Sequence, residues 1–230
     1  MYSFREIKNK IKKTPIIDSG GRLFLANLDF LRNTFSEIKG LIKFRRLMKK
    51  SHIKLELGSG SKRGSNGWIT VDKGSGADIF FDLRNRMPLN DNSVDKIYSS
   101  HLLEHIPFNE LISFLQECKR VLKPNGEFSV CVPNAKLYIN SYLNDKMFID
   151  SSKGEDFVCF ENFPETLSKL DQVNYMAYMG DQHKYMFDEE NLINTLFKAG
   201  FKTARLRKYD EDLDLKMRDF ESIYAVAYKT

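Results

Sequence analysis

The sequence is poor in features that mark secreted, disulfide-rich or membrane-spanning proteins. Only three of its 230 residues are cysteine, an odd number without metal-binding spacing, which argues against a disulfide framework. No apolar run approaches the roughly 20 residues that a spanning helix needs. The polar, basic start from Met1 to Lys13 has no apolar signal-peptide core. These absences predict a cytoplasmic protein, with membrane-peripheral attachment as the alternative.

Acidic residues are scarce at the N-terminus, and charge is therefore uneven along the chain. The net charge is +5, but residues 1–50 contain 13 Lys and Arg against four Asp and Glu. The remaining residues are acidic on balance, which disfavours a groove that tracks nucleic-acid phosphates. The basicity therefore belongs to one segment and not to the body of the protein.

That N-terminal segment, residues 1–50, is predicted to be a loose arm followed by an amphipathic helix from Leu23 to Lys50. One apolar stripe recurs at spacings of three and four; its members are Leu28, Leu31, Phe35, Ile38 and Ile42. The helix is interpreted as packing on the folded domain. Contact with an anionic membrane surface or a protein partner is the alternative.

Strand and helix patterns alternate over residues 51–230. The sequence predicts strands at 53–57, 68–72, 78–82, 94–99, 127–132, 202–209 and 222–229, and helices near 110–122 and 189–199. Such alternation predicts an α/β fold with a Rossmann-like, mostly parallel seven-stranded sheet and helices on both faces. The last two strands have no helix pattern between them and are expected to form an antiparallel C-terminal hairpin.

Local signals suggest where these helices begin and end. Asn109 and Asp188 are predicted N-caps, and Gly200 is a predicted C-terminal stop. The Lys-Pro-Asn-Gly sequence at 123–126 is predicted to end a helix and turn into the next strand.

A long stretch from about 134 to 187 has no clear period and is rich in aromatic residues. A segment of that length is typical of a lid or a substrate wall inserted into a domain. Its aromatic rings could stack on sugar rings, or could form the core of an inserted subdomain. The aromatic residues include Tyr138, Tyr142, Phe157, Phe160, Tyr175, Tyr178 and Tyr185.

The segment from Lys54 to Gly60, Lys-Leu-Glu-Leu-Gly-Ser-Gly, indicates a buried strand that ends in a tight turn. Such a turn lets a ligand approach the main chain closely. A nicotinamide-binding motif does not fit, because the third glycine, Gly64, comes one place late and the acidic residue Asp72 comes too early. A phosphate loop does not fit either, because the Gly-Lys-Ser/Thr ending is absent.

Two further carboxylates close predicted strands. Asp72 can accept both hydroxyls of a ribose, and Asp82 can accept a hydrogen bond from an adenine amino group. After the fourth strand, the chain lacks the Asn/Asp-Pro-Pro-Tyr/Phe motif of amino-directed nucleic-acid methyltransferases, and it has no Pro-Cys nucleophile. Both features argue against a nucleic-acid substrate.

Taken together, the motifs resemble class I S-adenosylmethionine-dependent methyltransferases, in particular a small type 11-like branch associated with surface-polysaccharide biosynthesis. The resemblance is strong over 53–133 and resumes at 180–200 and 218–229. Ser59 stands where the family often has cysteine, and Asn125 where it usually has glycine. The motifs are Leu-Gly-Ser-Gly at 57–60, Gly-Trp-Ile-Thr-Val-Asp at 67–72, Asp-Leu at 82–83, Asp-Lys-Ile-Tyr-Ser-Ser-His-Leu-Leu-Glu-His at 95–105 and Arg-Val-Leu-Lys-Pro-Asn-Gly at 120–126.

The resemblance implies S-adenosylmethionine as cofactor, S-adenosylhomocysteine as product, and no metal. It implies that Asp72 holds the ribose and that Asp82, with the Leu83 backbone, holds the adenine. The remaining implied cofactor contacts are Glu56, Gly58, Ser59 and Gly60 near the methionine and ribose, and Ser99 and Ser100 beside the sulfonium.

Three residues are candidates for the chemistry of transfer, which needs a base only for a poor nucleophile such as a sugar hydroxyl. They are His101 and Glu104 after the fourth strand, and His183 before the last helix. His105 is interpreted as structural, and His52 as incidental.

The resulting functional hypothesis is O-methylation of a sugar in a surface glycan or in its nucleotide- or lipid-linked precursor. The alternatives are O- or N-methylation of a small metabolite, and an inactive cofactor-binding scaffold in a biosynthetic complex.

Overall fold

A computed structural model of the protein describes residues 22–74, 76–150 and 168–230. The predicted N-terminal arm, Cys159, Phe157 and Phe160 lie outside these residues. The described residues form one seven-stranded sheet in the order β3-β2-β1-β4-β5-β7-β6. Its strands are β1 (Lys54–Leu57), β2 (Trp68–Asp72), β3 (Ile79–Phe80), β4 (Val94–Ser100), β5 (Leu122–Pro133), β6 (Thr203–Arg207) and β7 (Ser222–Tyr228).

The first five strands pair in parallel, and β7 pairs antiparallel to both β5 and β6. The predicted α/β class and the antiparallel C-terminal strands are therefore confirmed. The central strands are buried on both faces, as their near-continuous apolar sequences require; Leu55, Leu57, Ile97, Phe128 and Val130 have at most 1% exposure. β7 lies inside the sheet, and β6 forms its edge.

Five α-helices accompany the described sheet, and none is long and apolar enough to cross a membrane. They are α1 (Arg22–Leu47), α2 (Phe108–Val121), α3 (Ala135–Leu143), α4 (Lys169–Tyr178) and α5 (Glu189–Lys198), with 3-10 turns at Leu103–His105 and Lys216–Glu221. The Asp188 cap is confirmed as a capping box with Asn191. Gly200 follows the helix with a φ of +94°, which suits a C-terminal stop.

The prediction that Asn109 caps helix α2 was wrong. Helix α2 begins at Phe108 after Pro107, so Asn109 lies within the first turn. Proline fits this position because its fixed φ suits entry into a helix. The buried face of α2 is that of an amphipathic helix, with Leu111, Leu115 and Val121 all at 0% exposure.

The predicted helix end before 123–126 is confirmed, because α2 ends at Val121, but the predicted turn lies inside a strand, because β5 begins at Leu122. Asn125 instead adopts a φ of +63°, and its N–H donates to the Lys229 carbonyl at 2.5 Å. The β4–β5 register shifts between Val94 and Lys96. The breaker residues therefore make a local irregularity at the edge of the ladder, and asparagine tolerates the left-handed conformation that this requires.

Helix α1 packs on β3 through a different face from the one predicted. Phe35 and Ile42 are 62% and 45% exposed, while Phe44 and Leu47 are buried. A Cβ atom on Gly40 would lie 2.3 Å from the Phe80 carbonyl oxygen, so only glycine permits this approach. The apolar spacing identified a helix but not its contact face.

The aromatic stretch contains two helices that its sequence did not reveal. Helices α3 and α4 pack against each other, and Ala135, Tyr138 and Met176 form a small separate core with Phe148 against it. Some of the aromatic residues in this stretch therefore pack in a core, whereas Tyr178 is 63% exposed.

Candidate functional site

The glycine-rich turn after β1 has the backbone that its sequence predicted. Gly58 and Gly60 have φ values of +77° and +63°, in the left-handed region. A Cβ atom on Gly58 would lie 2.8 Å from the Leu102 side chain, whereas one on Gly60 would meet nothing within 4 Å. Gly60 therefore presents bare main chain to open space, which leaves room for a ligand.

Asp72, at the end of β2, anchors this turn. Its Oδ2 accepts from the Gly60 N–H at 2.9 Å, and its Oδ1 accepts from the Gly74 N–H at 2.6 Å. Each carboxylate oxygen can accept more than one hydrogen bond, so capacity for two ribose hydroxyls remains. The same carboxylate thus shapes the loop and faces the ligand space.

The other two acidic candidates on this side also have partners within the chain. Lys62 Nζ lies 3.1 Å from both carboxylate oxygens of Glu56, which is 8% exposed. Arg84 donates to Asp82 at 2.7 Å, and Lys73 lies 3.4 Å from it. The Arg84 guanidinium holds the pKa of the Asp82 carboxyl well below its usual range, against the opposing effect of burial. Ser59 Oγ donates within its own loop to the Lys62 carbonyl at 3.4 Å.

A cavity of about 680 Å³ opens beside these carboxylates at the carboxyl ends of the parallel strands. This is the edge of an open α/β sheet at which ligands bind. Its lining includes Asp72, Phe81, Asp82, Leu83, Leu102 and His105. The cavity therefore brings the predicted ribose and adenine residues together with the turn that follows β4.

The end of β4 changes direction abruptly. Ser99 is fully buried and Ser100 partly exposed. His101 then adopts a φ of +50°, which is uncommon for a residue other than glycine. Backbone strain of this kind concentrates at functional sites. The bend leads into the 3-10 turn at Leu103–His105.

That turn places Glu104 at the centre of three imidazoles. The Glu104 side chain is 2% exposed, and its Oε1 lies 3.6 Å from His101 Nδ1 and 3.8 Å from His105 Nε2. His183 joins them, with its ring centroid 5.0 Å from that of His105. Neither carboxylate oxygen of Glu104 has a hydrogen-bond partner. We call these four residues the Glu104 cluster.

Hydrogen bonds on the far side of each ring define the tautomers of the cluster. His105 Nδ1 and His183 Nδ1 lie 3.1 Å and 2.7 Å from the carbonyl oxygens of Gln182 and Met176. Carbonyls only accept, so both Nδ1 atoms carry the proton. His101 Nε2 lies 3.0 Å from Ser222 Oγ.

The Ser222 hydroxyl itself donates to the Arg218 carbonyl at 2.7 Å, so it must accept from the imidazole. His101 Nε2 therefore carries the proton, and in the neutral ring Nδ1 is bare. The bare nitrogen of His101 and that of His105 face Glu104.

Burial dominates the electrostatics of this cluster. It raises the pKa of the Glu104 carboxyl to about 8, although nearby Arg218 opposes the rise. It lowers the pKa of His101 to about 3, and Arg218 adds to that effect. The pKa of His183 is lowered by the same cause. Because the pKa of His101 is so low, its imidazole is neutral near pH 7, and the His101–Glu104 contact is not an ion pair.

The structure thus brings His101, Glu104 and His183 together, and it adds His105, which sequence reasoning had set aside. The available signal was the adjacency of Glu104 and His105 after a strand end, where side chains face the ligand edge. Ser222 and Arg218 lie in the segment 218–229 where the resemblance resumes, but the sequence assigned them no role. They reach His101 and Glu104 from β7 and the preceding 3-10 turn, more than 100 residues away.

Comparisons with known proteins agree with this architecture. A family model described as a methyltransferase domain matches residues 73–130. No curated protein matches the sequence.

One similar solved structure is a methyltransferase from Thermotoga maritima that is described as a possible histamine N-methyltransferase. It has 14% identity and a TM-score of 0.47, and the match covers 91% of this chain and 96% of that chain. A methyltransferase from Archaeoglobus fulgidus has 16% identity and a TM-score of 0.46, with 91% and 100% covered.

S-Adenosylmethionine fits the residues present. The bare main chain at Gly60 leaves space for the ligand, Asp72 has capacity for ribose hydroxyls, and Leu83 and Phe81 offer apolar surface for a flat base. The cofactor carries no phosphate, so the turn need not present a helix N-terminus to it. The methyltransferase-domain match over residues 73–130, together with the strand order and the cavity, supports an S-adenosylmethionine-dependent methyltransferase.

Proposed function

We propose that the protein methylates a hydroxyl oxygen of a sugar, in a surface glycan or in its nucleotide- or lipid-linked precursor. The observation that carries the proposal is the Glu104 cluster beside the cofactor cavity. An alcohol is a poor nucleophile and needs a group that takes its proton, whereas an amine that is already neutral does not. Burial raises the pKa of the Glu104 carboxyl to about 8, so its ionised form is a stronger base than an exposed carboxylate, and bare imidazole nitrogens face it.

In this proposal, the glycine turn and the strand-end carboxylates position the cofactor. Asp72 binds the ribose hydroxyls, and Asp82 with the Leu83 backbone binds the adenine. Each of these residues lines the cavity. The further proposed contacts, to the methionine part and the sulfonium, are Glu56, Gly58, Ser59, Gly60, Ser99 and Ser100.

The chemistry is an in-line displacement. When bound, S-adenosylmethionine supplies a methyl group on a positively charged sulfur, which keeps the electron pair of the broken C–S bond and becomes the neutral thioether of S-adenosylhomocysteine. The acceptor oxygen forms the new O–C bond and loses its proton. His101, Glu104 and His183 are the proposed proton-accepting and acceptor-positioning groups. Alignment in a closed site supplies much of the remaining acceleration.

Helix α1 supports a peripheral role beside this activity. Between Phe35 and Lys50 its exposed surface combines Phe35, Ile42 and Met48 with several lysines and arginines. Such a surface suits contact with an anionic membrane, where lipid-linked sugars reside, or with a partner protein. The same surface would serve an inactive scaffold protein, which is the alternative that the activity test addresses.

Transfer of a labelled methyl group into fractionated extract of the producing cells tests the proposal. We expect label in glycan, nucleotide-sugar or lipid-linked sugar fractions, and none with the Asp72→Ala variant. The His52→Ala variant is a matched control, because the His52 side chain is 85% exposed, next to Asp95 and not to the cavity. Label confined to free amines or macromolecules other than glycans would overturn the sugar hydroxyl as acceptor. Absence of any transfer, with cofactor binding intact, would favour the scaffold.

A further inference from the structure

The Glu104 carboxyl faces two imidazole nitrogens that can only accept hydrogen bonds. Both of its carboxylate oxygens lack a hydrogen-bond partner, although the side chain is only 2% exposed. His101 Nδ1 and His105 Nε2 face it with lone pairs, because their other nitrogens carry the protons. Buried polar groups without partners are costly and uncommon in folded proteins. A cation bound between Glu104 and His105 would satisfy the lone pairs that face each other there.

Three of the four residues have the spacing of metal ligands. One ligand atom each from Glu104, His105 and His183 lies within 4.8 Å of the others. His105 Nε2 lies 3.8 Å from Glu104 Oε1. Ligand atoms about 2.0–2.1 Å from a tetrahedral Zn²⁺ lie roughly 3.4 Å from one another. The His105–Glu104 distance is therefore within a few tenths of an ångström of that spacing, and the side chain of His183 would move closer to complete the site.

The groups behind the ligands are those that metal sites use. Metal-bound histidines commonly donate their second N–H to a backbone carbonyl, which fixes the tautomer and the ring orientation. His105 and His183 both do so, to Gln182 and Met176. The Glu104 carbonyl also accepts from the N–H groups of Lys184 and Tyr185, at 2.7 Å and 3.2 Å. The main chain thus joins the two ligand-bearing segments.

We propose that Glu104, His105 and His183 bind a divalent transition-metal ion, with Zn²⁺ as the best match. Two imidazoles and one carboxylate suit such ions, whereas Mg²⁺ prefers oxygen ligands. Three protein ligands leave a coordination position open, as in catalytic sites. His105 is one-third exposed and lines the cavity, so the ion is reached from the ligand space.

The role of the ion rests on the proposed function, although its binding does not. An acceptor hydroxyl at the open position would be polarised by the ion, as metal-bound water is. Its proton would pass to solvent water as the oxygen takes the methyl group. Glu104, His105 and His183 would then act as ligands, and His101 would lie beside the ion site.

Metal binding is measured on the full chain after treatment with a chelator, with no acceptor present. We expect Co²⁺ to bind 1:1 and to give the visible absorption of a nitrogen- and oxygen-ligated ion, and we expect Zn²⁺ to displace it. Mg²⁺ at the same concentration should not compete. The Glu104→Gln and His183→Asn variants should each bind Co²⁺ at least about tenfold more weakly, because each loses one of three ligands.

Binding of S-adenosylhomocysteine to every variant serves as the measure of folding, and the His52→Ala variant serves as the histidine control. Equal Co²⁺ binding by the His52→Ala and Glu104→Gln variants would place the ion elsewhere and overturn the proposal. Absence of any 1:1 binding by the folded wild-type protein would also overturn it, and Glu104 would then be a buried carboxylic acid. Because no acceptor is used, a wrong sugar assignment leaves this result unchanged.

Discussion

The carboxylates on the two sides of the cavity differ in their hydrogen-bond and ion-pair partners. On the cofactor side, Asp72 accepts two backbone N–H groups, and Glu56 and Asp82 have lysine or arginine partners. On the side proposed for the acceptor, the carboxylate oxygens of Glu104 have no hydrogen-bond partner, and no lysine or arginine forms an ion pair with them within the described residues. The first side is arranged by contacts within the chain. The second side has the unpaired acceptors on which the metal proposal rests.

Replacing Glu104 by glutamine tests this comparison most strongly. We expect activity to fall by about 10²–10⁴-fold, the range for removal of a group that takes or directs a proton. The thermal midpoint should stay within a few degrees, because the native carboxylate makes no hydrogen bond that the change would remove. Activity assays and thermal unfolding check the two expectations together.

If Glu104→Gln unfolds the protein, the carboxylate has a structural partner and the contrast between the two sides fails. His52→Ala is the matched control, with unchanged activity expected. A gain in thermal midpoint on Glu104→Gln would sharpen the contrast, since it would show that the charge is retained against stability.

The Asp72→Ala variant addresses the cofactor side. It removes the acceptor for the Gly60 and Gly74 N–H groups as well as the proposed ribose contact. We expect S-adenosylhomocysteine to bind about 100-fold more weakly, from the loss of charge-assisted hydrogen bonds. Isothermal titration calorimetry measures the change, with Asp91→Ala as a control because that side chain is 63% exposed. Unchanged affinity for S-adenosylhomocysteine would show that Asp72 does not contact the cofactor.

The pH dependence of stability that Asp78 contributes gives a test with a smaller expected effect. Burial opposes the ionised form, but hydrogen bonds from Thr70 and Gly64 outweigh it and hold the pKa of this carboxyl below its usual value. A lowered folded-state pKa contributes stability that is present above the unfolded value near about 3.9 and is lost as pH falls.

We therefore expect Asp78→Asn to lose about 1–2 kcal/mol at neutral pH and less as pH falls below about 4. Urea unfolding of both proteins at several pH values measures this difference. A difference that grows with acidity would contradict the assignment.

The smallest effect is expected for Arg84→Ala. The Arg84 side chain is 63% exposed, so its ion pair with Asp82 contributes under about 1 kcal/mol to stability. The change would nevertheless free an Asp82 oxygen for the adenine, and affinity for S-adenosylhomocysteine should stay within about threefold. A large loss of affinity would show that the guanidinium itself contacts the ligand.

The sequence was informative where function depends on consecutive residues. The glycine turn, Asp72, Asp82 and the His101–His105 segment occupy contiguous motifs at strand ends, and the sheet places strand ends at one edge. The Asp188 cap was equally local. Such features follow from short-range geometry, and the structure reproduces them.

Contacts between residues far apart in the sequence could not be predicted in the same way. The stripe of Phe35, Ile38 and Ile42 predicted the helix but not its buried face, because that face depends on the approach of Gly40 to β3. Helices α3 and α4 were missed because their apolar residues face each other in a small separate core. The partner of His101, Ser222, lies at the far end of the sequence, so no spacing rule could connect them.

The position of β7 has a consequence for how the protein is made. β6 is synthesised before β7, yet it has no place in the sheet until β7 has paired with β5. Ser222, the first residue of β7, fixes the proton of His101. During translation, every residue that lines the cavity is made before β5, whereas the hydroxyl that fixes the His101 proton is made only with the last strand.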